Sequence, residues 1–145
     1  MSKTFTLNEA QTLLPVLEAL LKRARAAGKR AAELGFEMQQ LSQRIFLSGG
    51  MHVNVQQAAR RRAERDKAMK EASDTVAEID EIGVQVKDLE QGLLDFPSLM
   101  DGQTVLLCWK LGEKEIGYWH TQEDGYAGRM PLDVRFGKTE KERLN

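Results

Sequence analysis

From Leu7 to Ile82 the chain holds one helical apolar period, interrupted once, at Ser48-Gly49-Gly50. Thr6 and Glu9 stand at capping-box spacing, with the hydroxyl able to accept a free amide and the carboxylate able to bond back, so a helix is predicted from about Leu7. Leu7, Ala10, Leu14, Leu17, Leu21, Ala24, Gly28, Ala31, Gly35 and Met38 then alternate three and four apart, the seam of a coiled coil. A second stripe, Leu13, Leu20, Ala27, Leu34 and Leu41, widens the apolar face, so the helix should meet more than one neighbour. Pro15 lies beyond the first turn and predicts a kink. After the glycines, Asn54 and Gln57 restart a helix with the seam Val55, Ala58, Arg62, Arg65, Met69, Ala72, Val76 and Ile79, and Gly83 is placed to close it.

Charge decides how these two helices pair. If the chain folds back at Gly49-Gly50, Glu33 and Glu37 meet the basic run Arg60, Arg61, Arg62 and Arg65. In the same register Lys22, Arg23, Arg25, Lys29 and Arg30 meet Glu71, Asp74 and Glu78. Opposite signs face each other only in the antiparallel arrangement. Exposed pairs contribute roughly 0 to 1 kcal/mol each, so they select register more than they stabilise. At 1.5 Å per residue the first helix runs roughly 60 Å and the second roughly 40 Å, leaving Leu7 to Leu21 to pack on whatever follows.

From Gly83 the period changes to that of strands. Val84 and Val86 alternate with polar residues, Glu90-Gln91-Gly92 is a turn, and Leu93 to Phe96 is a short strand ended by Pro97. Asp101-Gly102 marks another turn, and Thr104 to Lys110 pairs through Leu111 to Lys114 with Glu115 to Thr121. That connection would set Lys110 opposite Glu115, Cys108 opposite Gly117 and Leu106 opposite Trp119, with Tyr118 and His120 on the other face. The expected fold is α+β: a long antiparallel, coiled-coil-like helical hairpin followed by an antiparallel β-meander of about four strands packed on its base. The boundaries are 6–82 for the hairpin, 83–132 for the meander and closing loop, and 133–145 for a polar, mobile tail, all within a single domain.

The chemistry-bearing residues fall in this second half. Asp88, Asp95, Glu113, His120, Asp124 and Arg129 form the candidate polar site, where carboxylates with one imidazole could hold a divalent metal or act as acid and base. No HExxH, paired-histidine or CxxC spacing is present, so no cofactor is implied by motif, and strand-end acids also serve as ordinary turn caps. Cys108 is read as an inert core thiol, because the expected register puts it on the face away from His120. The loop Glu123 to Arg129, with Gly125, Gly128 and Arg129, could bind an anion but is read first as a closing loop.

Of 145 residues, 21 are Lys or Arg and 22 Asp or Glu, which leaves no net basic footprint for nucleic acid. No aromatics interleave with Arg60 to Arg65 for base stacking, so nucleic acid is not an expected partner. One cysteine excludes an internal disulfide, and MSKTFTLNEA has no apolar signal run, which places the protein in the cytoplasm without a membrane span. Ile45, Phe46, Leu47, Met51 and Val53 gather apolar side chains at the hairpin tip, beside the solvated loop residue His52. They are read as the contact surface of a homo-oligomer, with a two-fold dimer favoured.

FTLNEAQTLLP at the start, LSGG at the tip, and GVQVKDLEQGLLDFPS, LCWKLGE, YWH and GYAGRMPL in the strand segment resemble a bacterial family of unknown function, DUF2203, over about Leu7 to Leu132. The resemblance implies no activity, cofactor or catalytic residue. Two functions therefore stand side by side: a non-enzymatic binding or assembly module, and a small metal-assisted hydrolase built on the carboxylates and His120. Convergence of those side chains to within about 5 Å separates them, since ligands shared by one ion need bonds near 2 Å.

Overall fold

The computed structural model describes residues 3–47, 49 and 55–136. Helix α1 covers Leu7–Leu47 and α2 Val55–Ile82; the strands are β1 Gln85–Asp88, β2 Leu93–Met100, β3 Gln103–Lys110, β4 Tyr118–Thr121 and β5 Met130–Pro131. Sheet order is β1-β2-β3-β4-β5, and every neighbouring pair is antiparallel. The fold is α+β, with five strands where four were expected. β5 has two residues, one of them proline, and so carries no alternation to read. No helix among the described residues is long and apolar enough to cross a membrane. The chain divides into two compact units, Lys22–Thr75 and the remainder.

In the helical unit the antiparallel register follows the charges. Arg23 pairs with Glu71 at 3.3 Å, Arg30 with Glu64 at 3.4 Å, and Arg61 with Glu37. Ala24, Ala27, Leu34, Ala68 and Thr75 are buried here. On α2 the expected seam holds in part, with Ile79 buried and Ala58, Arg65, Ala72 and Val76 half-buried; elsewhere the buried line moves by one residue, since Met69 is 53% exposed and Arg62 is exposed while Ala68 and Thr75 are buried. Small residues allow the helices to meet closely, and Thr75 satisfies its hydroxyl on the Glu71 carbonyl at 2.7 Å. At the tip Ile45 is half-buried, whereas Phe46, Leu47 and Val55 are 84%, 83% and 69% exposed. Met51, His52 and Val53 lie outside the described residues.

In the other unit α1 opens on the expected capping box: the Glu9 amide donates to Thr6 Oγ1 at 3.1 Å and the Thr6 amide to Glu9 Oε1 at 2.9 Å. The helix continues through exposed Pro15 and buries Ala10, Leu14, Leu17 and Leu21 with Ile79 and Val84 against one sheet face. That face is Leu94, Phe96, Met100, Val105, Leu107, Trp109 and Trp119. Gln11 fastens the helix to the β3–β4 connection, donating to the Ile116 carbonyl at 3.4 Å and accepting from the Ile116 amide at 3.2 Å.

Two expectations change, one for a strand and one for the tail. β2 does not stop at Pro97 but runs to Met100, with Pro97 opposite Leu106. The Phe5 amide donates to the Pro97 carbonyl at 2.7 Å, so the missing N–H points to the side of β2 away from β3, beyond the end of β1, where no ladder bond is lost. Phe136, expected in a mobile tail, is buried against Trp119 with ring centroids 5.7 Å apart. Residues 137–145 lie outside the description.

The β2–β3 hairpin turns on Asp101 and Gly102, with φ of 52° and 79°, the type I′ geometry that Asp-Gly favours. Gly92, at φ 74°, is tighter: a Cβ there would sit 2.7 Å from Leu111 Cβ, whereas one at Gly102 would meet nothing within 4 Å. Gly102→Ala should therefore cost backbone strain alone, about 1 to 2 kcal/mol. Gly92→Ala adds overpacking, a further roughly 1 to 3 kcal/mol. Urea unfolding of both variants checks this, and equal losses would contradict the packing described at Gly92.

Candidate metal centre

The second face of the sheet carries the polar chemistry, and strand register decides which residues reach it. In β3 and β4, Leu106 pairs with His120, Leu107 with Trp119 and Cys108 with Tyr118. This is one residue away from the expected pairing, and it brings His120 and Cys108 to the same face while sending Trp119 into the core. The cause is the connection. β4 begins only at Tyr118, because Glu113 folds back on the end of β3: its Oε1 accepts the Lys110 amide at 2.7 Å and its carbonyl accepts Trp109 Nε1–H at 2.9 Å. Ile116 is then drawn into the core, and residues expected to start the strand become a loop.

Asp95 stands opposite Cys108 on β2, in the same face. Asp95, Cys108 and His120 are 1%, 1% and 2% exposed, and one donor atom from each lies within 4.8 Å of the others. His120 Nδ1 contacts the Thr121 carbonyl at 2.7 Å, and a carbonyl can only accept, so Nδ1 carries a proton. Nε2 faces Asp95 Oδ1 at 3.0 Å. Two bare lone pairs would repel at that distance, so one proton is shared across this contact. Asp95 Oδ2 is buried with no hydrogen-bond partner.

Burial pushes the Asp95 carboxyl above the usual carboxylate range, against the opposing charges of His120 and Lys87. The sign follows: what Asp95 contributes to stability is present while it is protonated and is lost as pH rises through its raised folded value. Burial, and next the neighbouring Asp95 charge, push the Cys108 thiol up to about 11, with Arg129 opposing. A pocket of about 160 Å³ opens against these groups, walled by Leu93, Leu106 and Tyr126, with Lys87 and Gln122 at its exposed edge.

The other predicted site residues lie outside the trio, with Arg129 next to it, against Cys108. Asp88, half-buried beside a bulge in β1, accepts the Gln91 amide at 2.9 Å and caps the turn. Glu113 is held bidentate by Arg129 at 3.1 and 3.3 Å. Asp124 is exposed and offers only its amide, to Thr121 Oγ1 at 3.2 Å. Arg129 also lies over the Tyr118 and Tyr126 rings, 4.0 and 4.5 Å from their centroids, and its charge is matched by Glu113. Of the expected six, the structure brings together Asp95 and His120 and adds Cys108. Lys87 and Tyr126 were missed as pocket residues; only their places in β1 and in the closing loop pointed to them.

The family model described as uncharacterized conserved protein (DUF2203) matches residues 3–132. The chain belongs to this family. No curated protein and no solved structure matches it.

The raised thiol has a direct consequence. A shift from 9.0 to about 11 lowers the thiolate fraction about a hundredfold near neutrality, before access is considered. Metal-free folded protein should react with Ellman's reagent at pH 8 at least about a hundredfold more slowly than the urea-unfolded chain. Equal rates would contradict the buried thiol.

Proposed function

We propose that the protein is a small metal-dependent hydrolase, with its cation held by Asp95, Cys108 and His120. The observation that carries this reading is the convergence of a carboxylate, a thiol and an imidazole on one pocket wall, donor atoms within 4.8 Å, with Asp95 Oδ2 buried and unbonded. Bonds of about 2.3 Å to sulfur and about 2.0 Å to nitrogen set tetrahedral ligands of one zinc ion about 3.5 Å apart, so the widest pair of the trio has to close by up to about 1.3 Å on binding. Imidazole with thiolate suits zinc or a similar borderline cation. The Nδ1–H bond to the Thr121 carbonyl fixes the ring and its tautomer, as a ligating histidine requires. Three protein donors leave a fourth position toward the pocket, where such a cation supplies an activated water. In that state the chain's own groups do three things: Asp95 and Cys108 balance the charge, His120 is held by β4, and Leu93 and Leu106 limit access of bulk water.

We further place the protein in the cytoplasm, where a lone cysteine remains a thiol. Self-association is a second reading, favoured by the exposure of Phe46, Leu47 and Val55 on the coiled-coil-like hairpin.

Metal-free protein should take up one zinc or cobalt ion, and Asp95→Asn should abolish uptake while keeping the fold, since an amide N–H can still donate to Nε2. Asp88→Asn and Asp124→Asn should bind normally. Uptake should release about two protons, one from the thiol and one from the Asp95–His120 contact, as a weakly buffered titration would record. Zinc-loaded protein should hydrolyse p-nitrophenyl acetate faster than the Asp95→Asn variant. Equal metal content in wild type and variant by native mass spectrometry would overturn the metal reading; equal hydrolysis with uptake intact would overturn the hydrolase. For the tip, Phe46→Glu should lower the solution mass to that of a monomer, and an unchanged mass would remove it as an interface.

A further inference from the structure

Lys87 is the one charged side chain of the pocket wall that neither belongs to the trio nor has an ion pair among the described residues. It stands on β1 at the exposed edge of the pocket, close enough for its charge to act on Asp95. The neighbouring cation, Arg129, lies against Cys108 but is paired bidentate with Glu113, so the two together add no net charge to the pocket.

Charge counting, resting on the metal reading above, then narrows the ligand. A divalent cation with the Asp95 carboxylate, the Cys108 thiolate and neutral His120 sums to zero, and Lys87 leaves the pocket with one net positive charge. A neutral ligand would leave that charge to solvent alone, a monoanion matches it, and a dianion would exceed it. Size agrees with this: a pocket of about 160 Å³ suits a small ligand beside the cation. The apolar walls at Leu93 and Leu106 suit a short hydrocarbon portion.

We propose that the metal-loaded pocket binds a small monoanion, a short-chain carboxylate or the carboxylate of a small substrate, with one oxygen toward the open metal position and the anionic charge matched by the Lys87 ammonium. Lys87 is thus the residue that selects charge, while the trio holds the cation.

Cobalt-loaded protein tests this, because its visible spectrum reports changes in coordination. Acetate should shift the cobalt bands saturably, and acetamide, of nearly the same shape but neutral, should bind at least about tenfold more weakly. Lys87→Gln should keep cobalt with unchanged affinity but lose about tenfold in acetate affinity, the size of effect expected for one screened charge at a pocket edge. If acetate and acetamide act equally, or if Lys87→Gln binds acetate as wild type does, the monoanion inference is overturned while the metal centre stands. Absence of any cobalt spectrum in the wild type would overturn both.

Discussion

The position of His120 depends on how the chain leaves β3, and one side chain controls that exit. Glu113 accepts the Lys110 amide on its carboxylate and the Trp109 indole N–H on its carbonyl, while its other carboxylate oxygen and the first are held by Arg129. These bonds fold the connection onto the end of the strand and delay β4 to Tyr118. Because side chains alternate faces, a shift of one residue would put Trp119 in the pocket and His120 in the core. Both misplacements are costly, one for exposing a large apolar ring and the other for burying an imidazole without Asp95 or the Thr121 carbonyl. The Glu113 turn, though outside the trio, therefore decides whether the trio exists.

Much of the architecture was legible because it rests on local rules. The Thr6–Glu9 box, the glycine break, the opposed charges of the hairpin and the Asp101-Gly102 turn each involve residues that set their own geometry or pair by sign. What was not legible depends on distant contacts. The α2 stripe moved from Met69 to Ala68 because close helix approach rewards a small side chain over a large one, and spacing alone does not distinguish neighbouring positions of similar period. Pro97 stays within β2 because that stretch has no strand on its second side, only the Phe5 amide on its carbonyl, a fact of sheet order. Asp95 and His120 were recognisable as candidates, but Cys108 was set aside, since the register that joins them is fixed by the Glu113 bonds and by Gln11 on α1.

The same reasoning accounts for the acids that failed to converge. Asp88 and Asp124 follow the ordinary behaviour of aspartate near turns: Asp88 caps with a side-chain oxygen, and Asp124 sits exposed in its loop. Their sequence positions resembled a ligand set only because turns in a meander bring acids to regular intervals. Glu113 has the same origin but a larger task, and its pairing with Arg129 also removes the guanidinium from the list of free cations.

The Asp95, Cys108 and His120 cluster resists that kind of explanation. All three are buried, and a carboxylate oxygen among them lacks any partner, an arrangement that costs about 1 to 3 kcal/mol for the unmet acceptor alone. Burying an ionisable group in place of a well-packed apolar one seldom increases stability, so a purely structural role would be better filled by valine or leucine at these strand positions. A ligand that binds only the folded form changes the balance, stabilising it by RT ln(1 + [L]/Kd), about 2.7 kcal/mol at a hundredfold excess over Kd. A cation bonded to Asp95 Oδ2 would meet the orphaned oxygen, use the thiol as a thiolate and leave the Thr121 bond to His120 intact. The unmet acceptor and the chemistry of the three donors thus both fit the proposed cation site, and the sheet register is what brings them together.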